Sequence, residues 1–110
     1  MFRLKIKTRT NADWSRSFRL TNADGDATLL DGSTMEMQLR KNASDKEVAL
    51  DLTSSNGGIT IAKGTNQFVL AIGKGKLTAG KYVGDLLRTV NGSTSAVAEV
   101  IVDVAQGVTR

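Results

Sequence analysis

The fold of this chain is indicated most clearly by one stretch, which reads Gly80-Lys81-Tyr82-Val83-Gly84-Asp85-Leu86-Leu87. Gly80 can release the chain from a turn, because glycine adopts positive φ at little cost. The only tyrosine of the chain then begins a run whose residues alternate between two faces. This period of two residues predicts a β-strand.

The position of the tyrosine indicates the class of fold. A tyrosine just after a turn is typical of the penultimate strand of an immunoglobulin-like sandwich, where the ring packs inward and the hydroxyl bonds to the backbone. We therefore expect Tyr82 to be buried, with a backbone partner for its hydroxyl. The predicted fold is all-β, a single immunoglobulin-like antiparallel β-sandwich of about seven to nine short strands.

Similar alternation recurs on both sides of this stretch, and turn-forming residues separate the segments. Asn22 to Asp26, Ser54 to Gly58 and Asn91-Gly92 predict turns, because glycine and asparagine tolerate positive φ. Arg16 interrupts an apolar face, so we expect it near a strand end or extended towards water. The apolar positions are Phe2, Leu4 and Ile6; Trp14, Phe18 and Leu20; Met35, Met37 and Leu39; Val48, Leu50 and Leu52; Ile59 and Ile61; Phe68, Leu70 and Ile72; and Ala98, Val100, Val102 and Val104.

The length and composition fit one small domain without metal or disulfide support. A chain of 110 residues can bury a single core. We expect the sandwich at residues 1–104 and a flexible C-terminal tail at residues 105–110. The sequence has no cysteine and no histidine, which excludes disulfides, thiolate metal sites and the commonest general base.

Two motifs suggest ligand binding, and neither is complete. Residues 75–81 match the first seven positions of a phosphate-binding P-loop, but Tyr82 replaces the required serine or threonine and a strand follows instead of a helix. Asn22, Asp24, Asp26 and Asp31 could offer oxygen ligands to calcium, but their spacing does not fit an EF-hand. We therefore expect no cofactor, no metal and no enzymatic activity. A calcium or glycan site built from distant loops stays open.

Asp85 lies within the central stretch, between Gly84 and Leu86. A single carboxylate does not provide the pair that acid–base catalysis in a cleft requires. We expect Asp85 to accept hydrogen bonds from a nearby loop or to pair with an arginine.

The excess positive charge is confined to the N-terminal segment. The first 20 residues carry six basic side chains and one acidic, a net charge of +5, whereas the other 90 carry nine basic and ten acidic. Arg3, Lys5, Lys7 and Arg9 project along one side of one strand. This basic stripe has three interpretations: it guards an exposed edge against unwanted pairing, it docks on an acidic partner protein, or it binds nucleic acid. No aromatic residue interleaves with it to stack on bases, which weakens the third interpretation.

A set of turn and core positions spans nearly the whole chain and resembles small tail-associated proteins of bacteriophages and prophages. A more distant likeness is to the N-terminal domain of phage baseplate upper proteins. The resemblance implies an immunoglobulin-like sandwich that acts as a structural module in the tail, baseplate or fibre-attachment region. It is carried by Asn11-Ala12-Asp13-Trp14, Phe18-Arg19-Leu20, Asp24-Gly25, Leu30-Asp31-Gly32, Met37-Gln38-Leu39-Arg40, Gly80-Lys81-Tyr82-Val83-Gly84-Asp85-Leu86 and Gly107-Val108-Thr109-Arg110.

The expected function is therefore that of a non-enzymatic virion structural protein. It would assemble with copies of itself and with other tail, baseplate or fibre proteins, through edge strands that can add to a partner's sheet. No signal peptide or membrane span is visible in the sequence. We expect the protein in the host cytoplasm during assembly and then in the virion, without a membrane partner. The partner-binding candidates are Arg3, Lys5, Lys7, Arg9, Val108 and Arg110.

Two alternatives stay open. One is a receptor- or carbohydrate-binding module, for which an exposed Trp14 would supply an aromatic platform, whereas a buried Trp14 would favour a scaffold. The other is nucleic-acid binding through the basic stripe, which predicts an affinity that falls steeply with salt.

Overall fold

The computed structural model describes residues 2–21, 32–62 and 64–108. This part of the chain is all-β, with eight strands and no helix. It therefore also has no helix of the length and apolarity that a membrane span requires. The strands are β1 (Phe2–Arg9), β2 (Trp14–Arg19), β3 (Ser33–Arg40), β4 (Leu50–Thr53), β5 (Ile59–Ile61), β6 (Gln67–Ile72), β7 (Gly80–Val90) and β8 (Ser93–Ala105).

The strands form two sheets. The larger has the order β1-β8-β7-β3-β4 and the smaller has the order β2-β6-β5. All neighbouring strands are antiparallel except β1 and β8, which run parallel with Phe2 beside Ala98 and Arg9 beside Ala105. The expectation of a wholly antiparallel sandwich is wrong for this pair. After β1 the chain crosses to the smaller sheet, and it returns beside β1 only with β8, so no hairpin joins the two strands.

The inward side chains of both sheets form one core, because alternate residues of each strand point to the same face. Phe18 and Phe68 occupy paired positions on β2 and β6, with ring centroids 5.7 Å apart. Trp14 is half-buried and packs against the core. The buried apolar residues are Ile6, Met35, Met37, Leu39, Leu52, Ile59, Phe68, Leu70, Ile72, Leu77, Tyr82, Leu86, Ala98, Val100, Val102 and Val104.

Tyr82 confirms the prediction made for it. Its side chain is 1% exposed. The hydroxyl donates to the backbone oxygen of Thr78 at 2.8 Å and lies 2.8 Å from the Thr78 hydroxyl. Because a tyrosine hydroxyl has one proton, the Thr78 hydroxyl acts as the donor in the second bond. Tyr82 therefore ties the start of β7 to the loop that precedes it.

Gly84 is a point of close contact between β7 and β3. A Cβ atom at this position would overlap the backbone oxygen of Gln38 and would lie 3.1 Å from Leu39 Cδ2. The two backbones therefore approach more closely than any side chain at residue 84 allows.

The predicted hairpin at Asn91-Gly92 is confirmed. Two residues join β7 to β8, and both have positive φ, 53° at Asn91 and 78° at Gly92. This is the geometry of a tight hairpin turn that matches the twist of its strands. Beyond the turn, the pairing of β7 with β8 shifts register between Leu86 and Leu87, which leaves Val97 as an extra residue on β8.

Some expectations differ from the structure in detail. Val48 was expected in a strand, but it is exposed and precedes β4, which begins at Leu50. Arg16 is exposed, as expected for a side chain that extends to water, but it lies in the middle of β2 opposite Leu70. The turn predicted at residues 22–26, and the candidate calcium ligands Asn22, Asp24, Asp26 and Asp31, lie outside the described residues.

Candidate functional site

The basic stripe lies on a strand at the edge of the larger sheet. β1 pairs with β8 on one side only, so its other backbone edge has no strand beside it within the described residues. Ile6 points into the core, and Arg3, Lys5, Lys7 and Arg9 are exposed on the opposite face. The structure therefore brings four of the six predicted partner-binding residues together on one open edge.

The neighbouring strand offsets part of this charge. Arg3 donates from Nη2 and Nε to Glu99 Oε2, at 3.2 Å and 3.3 Å. Lys7 lies level with Asp103 in the register of β1 and β8. Exposed ion pairs contribute little to stability, so these contacts mainly reduce the positive potential of the stripe.

The C-terminal residues lie beside the far end of β1. Arg9 Nη2 donates to the Gln106 backbone oxygen at 3.3 Å, and the Gly107 N–H donates to Thr10 Oγ1 at 2.8 Å. Gly107 is buried, whereas Val108 is 85% exposed. β8 includes Ala105, so the strand extends one residue beyond the predicted domain boundary. Arg110 lies outside the described residues.

The outward face of the larger sheet, here called the outer face, has charges of opposite sign at its two ends. The strand register places four carboxylates and one guanidinium at one end: Glu36, Asp51, Asp85, Glu99 and Arg3. Five basic side chains and one carboxylate lie at the other end: Lys5, Lys7, Arg9, Arg40, Lys81 and Asp103. We call these the acidic end, with a net charge of −3, and the basic end, with a net charge of +4.

A groove of about 740 Å³ lies on the outer face, largely at its acidic end. Its floor includes the half-buried apolar side chains of Val83, Leu87 and Ile101, and the loop at residues 41–43 forms part of its wall. Arg40, on the same side, donates to Gln38 Oε1 at 3.0 Å and to the Asp45 backbone oxygen at 3.1 Å. Arg40 is therefore held in place by its neighbours on β3 and the following loop.

Two carboxylates in this groove have no partner among the described residues. The side chains of Asp85 and Glu36 make no hydrogen bond or ion pair with any described residue. The expectation that Asp85 would bind a loop or an arginine is therefore wrong. Its cross-strand neighbours are Gln38 and Glu99, and these are already bound to Arg40 and Arg3.

Sequence reasoning did not find the groove. The available signal was the set of apolar residues at outward positions, such as Leu87 directly after buried Leu86 and Ile101 between buried Val100 and Val102. Such uninterrupted apolar runs indicate a strand that is covered on both faces.

The groove does not have the features of the other ligand sites considered. No aromatic side chain lines it, and no group of three or more acidic residues that could hold a metal ion occurs in the described ranges. The incomplete P-loop at residues 75–81 leads into β7 at Gly80, without a helix. In comparisons with known proteins, no family model and no curated protein matched the chain.

Proposed function

We propose that this protein is a non-enzymatic structural module of a phage or prophage virion. It is an immunoglobulin-like sandwich in the tail, baseplate or fibre-attachment region and works through protein–protein assembly. The observation that carries the proposal is the open edge of β1, a strand of eight residues. An exposed strand edge is a template for pairing with another chain.

The strand order supports the immunoglobulin-like assignment. The series β8-β7-β3-β4 follows the order G-F-C-C′ of such domains, and β2-β6-β5 follows the order B-E-D. Tyr82 lies near the start of β7, the equivalent of strand F, and its hydroxyl bonds to a backbone oxygen four residues upstream. Both features belong to the sandwich that the resemblance to phage tail proteins implies.

The basic stripe makes the β1 edge selective. Like charges placed opposite each other destabilise strand pairs, whereas opposite charges stabilise them. A second β1 is therefore a poor partner for this edge, and a strand with acidic residues at alternate positions is a good one. Lys5 is the best placed to receive such a strand, because Arg3 and Arg9 already have partners and Lys7 lies beside Asp103.

The alternatives have less support. A carbohydrate-binding module usually presents aromatic platforms, but Trp14 packs against the core and the groove has no aromatic side chain. Nucleic-acid binding lacks an aromatic side chain within the stripe that could stack on bases, and β8 places two carboxylates beside the stripe.

The proposal is tested on phage particles from the strain that carries the gene. Particles are purified on a density gradient, and the chain is quantified by mass spectrometry relative to known virion proteins. We expect a fixed number of copies per particle. If the chain is abundant in the lysate and absent from purified particles, the proposal is wrong.

A matched pair of variants tests the role of the β1 edge. We expect the double variant Lys5→Glu, Lys7→Glu to reduce incorporation at least tenfold, because it repels an acidic partner strand. The control is Lys46→Glu, an exposed lysine of a loop remote in sequence from β1, which should leave incorporation unchanged. Equal incorporation of both variants would exclude this edge as the contact.

A further inference from the structure

We propose that the outer face of the larger sheet binds a second copy of this chain, face to face, in a two-fold symmetric dimer. This inference rests on the proposed assembly function and names one partner for the outer face, which shares the basic stripe with the β1 edge.

The first argument is charge complementarity. The acidic end carries a net charge of −3 and the basic end +4, and both belong to the same face. A face with this distribution is complementary to itself when one copy is rotated against the other. Complementary charges of this kind steer encounter and fix the register of an interface.

The second argument is the diagonal placement of the charges. Lys5, Lys7 and Arg9 lie on β1 at one corner of the face, and Glu36 and Asp51 lie at the opposite corner on β3 and β4. A two-fold axis that runs diagonally across the strands places each basic corner over the acidic corner of the other copy. Both contacts form at once, so the assembly closes at two copies. The strands of the two sheets then cross steeply, as in orthogonal sheet packing.

The third argument is the apolar part of the face. Val83, Leu87 and Ile101 are only half-buried in the single chain, and a second copy would remove them from water. The face spans four strand spacings, about 19 Å, and about 36 Å along the eleven residues of β7. This is on the order of 700 Å², close to the roughly 800 Å² per partner of a standard interface.

The unpartnered carboxylates fit the same arrangement. Asp85 and Glu36 have no polar partner among the described residues, and both lie at the acidic end. In the dimer they would face the basic end of the other copy. Because much of this attraction is between exposed charges, salt should weaken it.

The test is sedimentation velocity of the purified full chain over a range of protein concentration, at low and high salt. We expect a monomer–dimer equilibrium whose dissociation constant rises at least tenfold between about 0.05 M and 0.5 M salt. Two variants reverse charges at one end of the face each: Asp51→Lys with Asp85→Lys at the acidic end, and Lys5→Glu with Lys7→Glu at the basic end. Each should be monomeric alone, and their equimolar mixture should form a heterodimer, because both contacts again join opposite charges.

The mixture separates loss of docking from loss of folding, since misfolded variants cannot restore each other. Arg19→Glu, at an exposed position on β2 of the smaller sheet, is the control and should dimerise like the unmodified chain. A strict monomer at every concentration, a larger assembly without a dimer, or a dimer that neither reversal weakens would overturn the proposal. A monomer that is still incorporated into particles would refute this inference alone, and a dimer that is absent from particles would refute only the proposed function.

Discussion

Gly84 shows how one residue sets the distance between two strands. It lies on the central strand β7 opposite Leu39, and any Cβ at this residue would overlap the backbone oxygen of Gln38. Because an atom of the backbone cannot move aside as a side chain does, the contact constrains both strands.

We expect Gly84→Ala to lower the free energy of unfolding by roughly 1–3 kcal/mol, because the added methyl group must separate β7 from β3. Urea-induced unfolding followed by circular dichroism measures the change. The matched control is Gly73→Ala, where a Cβ would meet only side-chain atoms of Lys76, at 3.3 Å and 3.6 Å, and should cost under about 1 kcal/mol. Equal costs for the two variants would contradict this account of Gly84.

Tyr82 gives a second test at a single residue. We expect Tyr82→Phe to cost about 1 kcal/mol, since it removes both hydrogen bonds to Thr78 and keeps the buried ring. Thr78→Val removes only the hydroxyl partner and leaves the backbone acceptor, so it should cost less. Chemical denaturation of the two variants in parallel distinguishes them, and a larger loss for Thr78→Val would mean that the backbone bond is not the important one.

For single residues, the sequence predicts the burial of inward side chains better than it predicts the partners of outward ones. The burial of Tyr82 follows from the two-residue period of its own strand. The lack of a partner for Asp85 among the described residues could not be predicted in this way. Its neighbours Gln38 and Glu99 come from β3 and β8, and both already bind arginines. Side-chain pairing across strands depends on the register, which no local pattern contains.

Among the elements, β1 is held in place by its apolar side chains and its backbone pairing rather than by its charges. Ile6 is 3% exposed, and the whole strand from Phe2 to Arg9 pairs with β8. The Arg3–Glu99 ion pair joins side chains that are 60% and 53% exposed.

We therefore expect Ile6→Ala to cost roughly 2–4 kcal/mol, through lost burial and the cavity that remains. Arg3→Ala should cost less than about 1 kcal/mol, and less still in high salt. Thermal unfolding at two salt concentrations measures both. If Arg3→Ala proved as costly as Ile6→Ala, the ion pair would have to be counted among the main supports of β1.

The existence of the strands could be predicted from the alternation of apolar and polar residues, and the turn at Asn91-Gly92 from its residue types. Which strands are neighbours in the sheets could not be predicted. The parallel pair of β1 and β8 joins segments from opposite ends of the sequence, and the alternation of each is the same for a parallel or an antiparallel partner. The groove depends on that arrangement, since Ile101 of β8 and Val83 of β7 form its floor only when these strands are adjacent.

The protein should fold slowly for its size, but its refolding should have no phase limited by proline isomerisation. Three of the six strand pairs among the described residues, β1–β8, β2–β6 and β3–β7, join strands that are distant in sequence, and such topologies fold in milliseconds to seconds. The chain has no proline, so proline isomerisation, which takes tens of seconds, cannot limit refolding.

Trp14, the only tryptophan, packs against the core and is a natural fluorescent probe of this process. In stopped-flow refolding from urea we expect one dominant phase on the millisecond-to-second scale, at protein concentrations where the chain is monomeric. A further phase of tens of seconds that does not depend on protein concentration would contradict the prediction.

The position of β8 also bears on how the protein is made by the ribosome. β8 follows the other seven described strands in sequence, yet it lies between β1 and β7 in the larger sheet. During translation β1 emerges well before β8, so its neighbour in the sheet is absent until residues 93–105 have been synthesised. If translation stops before β8, β1 has no neighbouring strand. The alternating lysines and arginines of β1 would then keep it hydrated and would oppose its pairing with other nascent chains.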